Sequence, residues 1–358
     1  MEPFVLFGQA VAPGSRAVLR RSVASLLVGG PLALVAHVVH GRSPGPVLGL
    51  VCGVHGPEHL PVWGVREALR DLSPEELRGT VVAVPVANPL AFAQGSRVTL
   101  EDDVDFGNLN RVFPGRRAHA VFGAGPSEPS DRSLTERVAE VLAEEVLPHL
   151  THLLDFHTHF HGVGLAKTIV GTDGGSVAAA VELAYAFGLP LVQRESVRPH
   201  TCTGYATSLG VVAIAPEFGG DQLPLAAARR CVEVLVRGIR RVMAHLGMTD
   251  GPPVEPGRFC LFSHVPHVRP NAAGYLVPRI DPVDVLCADP PGVWVRAGDL
   301  LAELFDPYTF EVVETLRAPA DGLVYMARRP GPVEAGAHAF AVAAEEGSRW
   351  VFWPPKTT

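Results

Sequence analysis

The chain has 358 residues, 47% hydrophobic and 19% charged, enough for one large domain, or a large domain with a smaller companion, around a substantial core. A net charge of -7, scattered Arg and only two lysines, Lys167 and Lys356, argue against a nucleic-acid partner, which would require clustered positive charge. Five widely spaced cysteines (Cys52, Cys202, Cys231, Cys260 and Cys287) form no CxxC pair, which argues against a disulfide scaffold or a cysteine zinc site and suits a reducing compartment.

The amino-terminal stretch MEPFVLFGQA lacks the basic-then-apolar order of a signal peptide. The run VASLLVGGPLALVAHVV is broken by Gly-Gly-Pro and is too short for a membrane span; it reads as two strands joined by a turn. A soluble, cytoplasmic protein with no membrane partner is expected. Next, GPVLGLVCGV is an apolar, strand-like run that ends by presenting His55 and, three positions on, Glu58. Burying either is costly unless it is paired, so the segment is either a surface loop or a metal site. In PVWGVREALRDL, Val62, Val65, Leu69 and Leu72 recur at helical spacing. TVVAVPVAN is a β-branched strand stopped by Asn88-Pro89. Ser133 and Glu136 have capping-box spacing at the start of a helix that should end near Pro148.

THLLDFHTHF reads as a further strand, SVAAAVELAYAFG as a helix, VVAIAPEF as a strand and PLAAARRCVEVLVRGIRRVMAHLG as a long amphipathic helix. Strands alternating with helices imply an α/β fold with a mainly parallel, mixed sheet covered on both faces, and active sites gather at the carboxyl ends of such strands. His55, His157 and Glu217 all fall near a predicted strand end. MTDGPPVEPGRF breaks the pattern, placing a boundary between residues 1–250 and a small all-β domain at 258–346. Short β segments there, AGYLVPRI, LLAELFD and GLVYMAR, are separated by turn sequences.

A zinc ion active in hydrolysis takes three protein ligands, two His and one Glu being one such set, and keeps a position for water. His55 and Glu58 supply two donors from one turn. DFHTHFHG offers His157, His159 and His161 at alternating positions, as if on one strand face, with Asp155 on that face to orient an imidazole.

The ordered pieces GVHGPE, NPLAFAQGSR, NLNRVFPG, SLTERVAEVL, DFHT and PEFGG resemble the succinylglutamate desuccinylase/aspartoacylase family, zinc-dependent deacylases built on the zinc carboxypeptidase fold. The resemblance, nearest to bacterial N-acetyl-diaminobutyrate deacetylase-like members, spans about residues 45 to 343. It implies one Zn2+ per chain held by His55, Glu58 and His157; Asp155, read from its place on the strand, would orient His157 or else make a plain strand-end hydrogen bond. Glu217 would be the general base, Arg97 would steady the oxyanion, Asn110 and Arg111 would hold a substrate carboxylate, and Asn108 would be a third substrate-binding residue. Where some members have Asp-Leu-Asn-Arg, this chain has Asn108-Leu109-Asn110-Arg111, which argues against N-acetylaspartate as substrate while leaving the chemistry intact. The ligand set being complete, His159 and His161 read as rim residues, Asp105 as a turn former, and Arg194 and Arg198 as solvated loop residues, with contact to the substrate as the alternative.

The expected activity is removal of an acyl group from a small N-acylated amino acid or related carboxylate-bearing amide. Peptide cleavage by a zinc carboxypeptidase is the alternative, with a non-catalytic metal-binding relative ranked behind it. The carboxy-terminal segment also resembles a lipoyl or biotinyl barrel, which raises a carrier function. A carrier needs a lysine on an exposed hairpin, and none lies between residues 168 and 355. The oligomeric state is not set by the sequence, which is compatible with a homo-oligomer.

Overall fold

The computed structural model describes residues 1–26, 29–99, 107–115, 132–173, 176–251 and 257–354. Side chains alternate along the central strands and bury both faces of one sheet. Leu48, Leu50, Val81, Ala83, Leu154 and Ile214 enter a core shared with Leu69, Leu183, Leu235 and Ile239. Their neighbours Val51, Val82, Val84, Leu153 and Ala213 enter a second core with Val138, Leu142 and Ala206. This period of two is what a sheet covered on both sides requires.

Four parallel strands form the centre, in the order Arg78–Val84, Ser43–Val51, His152–Asp155 and Val212–Gly220. On one side follow the antiparallel strands Pro31–His40 and Ser15–Ser25, the two strands expected around Gly-Gly-Pro. On the other, Val163–Gly171 runs antiparallel to Val212–Gly220. Leu191–Glu195 then pairs parallel with Val163–Gly171, and Gly257–Phe262 with Leu191–Glu195. The sheet is mixed, as expected, with its parallel strands at the centre and largely antiparallel pairs toward its margins.

Helices Leu60–Arg70, Val177–Phe187 and Leu225–His245 pack into the first core. Gly64 lets the first approach the third closely, since a Cβ there would lie 2.9 Å from that of Leu235. Helices Leu134–Val141 and Cys202–Ser208 pack into the second. Both capping-box bonds of Ser133 and Glu136 are made, at 3.2 and 2.8 Å, and the helical path tightens through Pro148 in its last turn. Among the described residues no helix is long and apolar enough to cross a membrane.

The carboxy-terminal strands divide between two sheets. Gly322–Arg328 joins the large sheet beside Val163–Gly171, and Phe340–Ala344 follows it. Gly274–Pro278, Leu300–Phe305, Val312–Arg317 and Gly331–Val333 form a separate four-stranded antiparallel sheet. Hydrogen bonding thus crosses from the amino-terminal part into the carboxy-terminal strands. Of the expected boundary segment, residues 252–256 lie outside the described residues, as does Asp105.

The strand expected through residue 160 ends at Asp155. His157 makes a single parallel bridge to Glu217, and the chain then turns at His161 (φ 58°) and Gly162 (φ 71°). His157, His159 and His161 consequently do not share a strand face.

Candidate metal centre and its cavity

The turn after Val51 is built against the segment 88–97. Ala87 N donates to Cys52 O at 2.8 Å and Asn88 N to Gly53 O at 2.9 Å. Asn88 then caps the short helix Pro89–Gln94 through Ala91 N at 3.2 Å, and its amide donates to Thr99 Oγ1 at 3.1 Å. Gly56 N donates to Ser96 O at 3.0 Å, and a Cβ on Gly56 would collide with the Ala91 carbonyl. Gly56 therefore allows the His55–Glu58 turn to lie against the segment that delivers Arg97. One guanidinium nitrogen of Arg97 comes within 3.9 Å of Glu58 Oε1.

Glu58 joins the two histidines. Its Oε1 lies 2.9 Å from His55 Nδ1 and its Oε2 lies 2.9 Å from His157 Nδ1. The imidazole centroids are 5.3 Å apart, and all three residues are at most 4% exposed. Burial alone would raise the Glu58 carboxyl, but the His157 and His55 imidazoles outweigh it and hold the group at about 2. Burial opposes charging His157, yet Asp155 and Glu58 carry it well above the usual histidine value.

Asp155 completes the arrangement. Its Oδ2 lies 3.3 Å from His157 Nε2 and accepts from Thr203 Oγ1 at 2.7 Å. His157 is also fixed by its backbone, donating to Pro216 O and accepting from Phe218 N, each at 3.0 Å. One ligand atom from each of His55, Glu58 and His157 lies within 4.8 Å of the others, so the three could hold a metal ion. Two imidazoles and a carboxylate, with the far nitrogen of His157 on a second carboxylate, are a donor set suited to a metal ion.

The trio lines a cavity of about 1240 Å³. Glu217, beside His157 through the bridge, lines it too, and so do Arg97, Asn110 and Arg111. Asn108 does not line it: its Oδ1 accepts from Asn110 N at 3.1 Å and forms the turn Leu109–Arg111, anchored by buried Leu109. Asn110 Oδ1 accepts from Cys202 N at 2.8 Å, which leaves the Nδ2 donors on a cavity-lining residue. Burial, then the nearby guanidinium groups of Arg198 and Arg97, lower the Arg111 pKa. His159 and His161 reach the cavity from the turn after His157, and the His159 ring meets that of His338 at 5.8 Å.

Several lining residues were not singled out in the sequence. Lys167 is the cross-strand partner of Glu217 and donates to Gln193 Oε1 at 2.6 Å; burial lowers its pKa. Gln193 donates to Glu195 Oε2 at 3.3 Å. Arg198, already named from the sequence, lines the cavity with its side chain still 60% exposed and a nitrogen 3.7 Å from Glu195 Oε1. A lone lysine inside the apolar run GLAKTIVG was the signal available for Lys167.

The fold and this site define a class. Residues 44–246 match the model of the Succinylglutamate desuccinylase/Aspartoacylase catalytic domain, and the chain belongs to that family. It is similar to the N-alpha-acetyl-L-2,4-diaminobutyric acid deacetylase of Halomonas elongata, 27% identical over 314 residues that cover 85% of this chain and 83% of that protein. The product-bound ectoine utilization protein EutE (DoeB) from Ruegeria pomeroyi superposes with a TM-score of 0.74 at 23% identity, covering 93% of this chain and 97% of its own. The succinylglutamate desuccinylase/aspartoacylase from Rhodobacter sphaeroides gives 0.72 at 24% identity, with 91% and 95% covered. At these identities the two structures establish the shared fold.

Proposed function

We propose that the chain is a zinc-dependent amide hydrolase that removes an acyl group from a small, carboxylate-bearing N-acyl amino acid. The observation that carries this reading is the buried His55–Glu58–His157 trio with Glu217 bridged to His157 in the same cavity. Bound zinc supplies Lewis-acid polarisation of a carbonyl and makes water acidic near neutral pH.

The chain's own residues do the rest. Glu217 takes the proton of the attacking water and returns it to the departing amine. Arg97, next to Glu58, faces negative charge that develops only in the transition state, where one such donor contributes about 3 kcal/mol. Arg111, with a planar fork of donors, and the Asn110 amide hold the substrate carboxylate. Asp155 keeps the His157 ring in the orientation that turns Nδ1 toward Glu58. The name of the Halomonas relative supports an N-acetylated amino acid as the first substrate to try.

The test is a panel of N-acetyl, N-succinyl and N-formyl amino acids beside short peptides, with amine release as readout, with and without a chelator. Chelator-sensitive turnover of an acylated amino acid is expected. Turnover of peptides alone would make the chain a carboxypeptidase instead, and turnover untouched by chelation would remove the metal from the mechanism.

A further inference from the structure

Arg97 stands beside the metal centre with no hydrogen bond from its guanidinium among the described residues. Its nearest carboxylate oxygen, Glu58 Oε1, is 3.9 Å away, and its side chain is 38% exposed. It shares the cavity with Arg111, whose guanidinium feels its charge.

Among the described residues, an aromatic ring meets the guanidinium. The guanidinium carbon lies 5.2 Å from the centroid of Phe160, within the range where a cation is attracted to an aromatic face. Phe160 is half-buried and lines the cavity, so it is not a core anchor, and its ring is stacked by His159 at 5.1 Å.

The loop that presents this ring is clamped. Asp221, one residue beyond the strand that carries Glu217, donates its N–H to His159 O at 3.1 Å. Its carboxylate accepts from His161 N at 3.0 Å and from Gly162 N at 2.7 Å. Arg329 N adds a bond to Gly162 O at 2.8 Å. His161 sits in the left-handed region, φ 58°, which a non-glycine residue seldom adopts without such support.

We infer that Phe160 is the positioning residue for Arg97: its ring face holds the guanidinium beside Glu58, and Asp221 fixes the ring by clamping the Thr158–Gly162 turn. The inference rests on the proposed deacylation only for what Arg97 does, not for where Arg97 is held.

The experiment uses the full chain loaded with zinc and two readouts. The first is the 15N order parameter of Arg97 Nε, which should fall from the rigid to the mobile range in Phe160→Leu and stay rigid in Phe160→Tyr. The second is turnover of the best substrate from the acyl amino acid panel. Phe160→Leu should lower kcat about tenfold with KM changed less than about twofold, Phe160→Tyr should restore most of the loss, and Phe160→Leu should change nothing in an Arg97→Ala background. An Arg97 that stays rigid in Phe160→Leu, or an equal kcat loss in the Arg97→Ala background, overturns the inference. If the parent protein turns over none of the acyl amino acids, the proposed function fails while the order parameter still decides this point.

Discussion

Asp155→Asn is the most informative single change, because it keeps the shape of the site and removes one charge. Asp155 is fully buried, its Oδ2 shared between His157 Nε2 at 3.3 Å and the Thr203 hydroxyl at 2.7 Å. Carboxylates that orient a ligating imidazole contribute about 10- to 100-fold to metal affinity. The 3.3 Å separation exceeds the roughly 2.7–2.9 Å of strong charge-assisted bonds, which places the expected loss at the low end. Zinc affinity should fall about tenfold, or about 1.4 kcal/mol. The asparagine oxygen still accepts from Thr203, so the fold should keep its melting temperature within a few degrees. A competition titration against a chromogenic chelator reads the affinity directly. An unchanged affinity would refute the role given to Asp155, and with it the argument that His157 is held for metal binding.

Glu217→Gln should retain the metal and lose about 10²- to 10⁴-fold in kcat, measured by amine release; a variant as active as the parent would falsify the base assignment. Arg111→Ala should chiefly raise KM for carboxylate-bearing substrates, by about tenfold or more, and leave their amidated analogues unaffected. Gly56→Ala forces the His55–Glu58 turn away from the Ala91 carbonyl and should cost about 1–3 kcal/mol in a denaturant melt together with bound metal. A Gly56→Ala protein of parental stability and metal content would show that the two segments are not braced against each other.

How far the sequence can be read depends on how local each signal is. His55 and Glu58 are three residues apart at the end of an apolar run, so the strand that carries them also brings them together, and the structure does so. The capping box at Ser133 is equally local. The alternation of His157, His159 and His161 was local too, but it misled, because Asp221, about 60 residues away, turns the chain after His157. Period-two spacing is informative only while the strand lasts. Asn108 was grouped with its neighbours by motif, whereas its short amide side chain is used to close the turn they stand on.

The long-range pairings leave no local trace. Met326 is in register with Leu165, and nothing in GLVYMAR announces that it will extend the large sheet rather than close on its own neighbours. The parallel periodicity of the first two-thirds likewise describes the centre of the sheet and not its margins. Lys167 could have been noticed, as a charge inside an apolar strand that can only be tolerated if it meets a partner or a cavity, and it meets both.

Anomalous diffraction at the zinc edge, from protein purified without added metal, tests the central claim most directly. The account predicts one peak per chain, about 2.0–2.2 Å from Nδ1 of His55, Nδ1 of His157 and a carboxylate oxygen of Glu58. A map with no peak between these three side chains, or with zinc bound elsewhere on the chain, would contradict it.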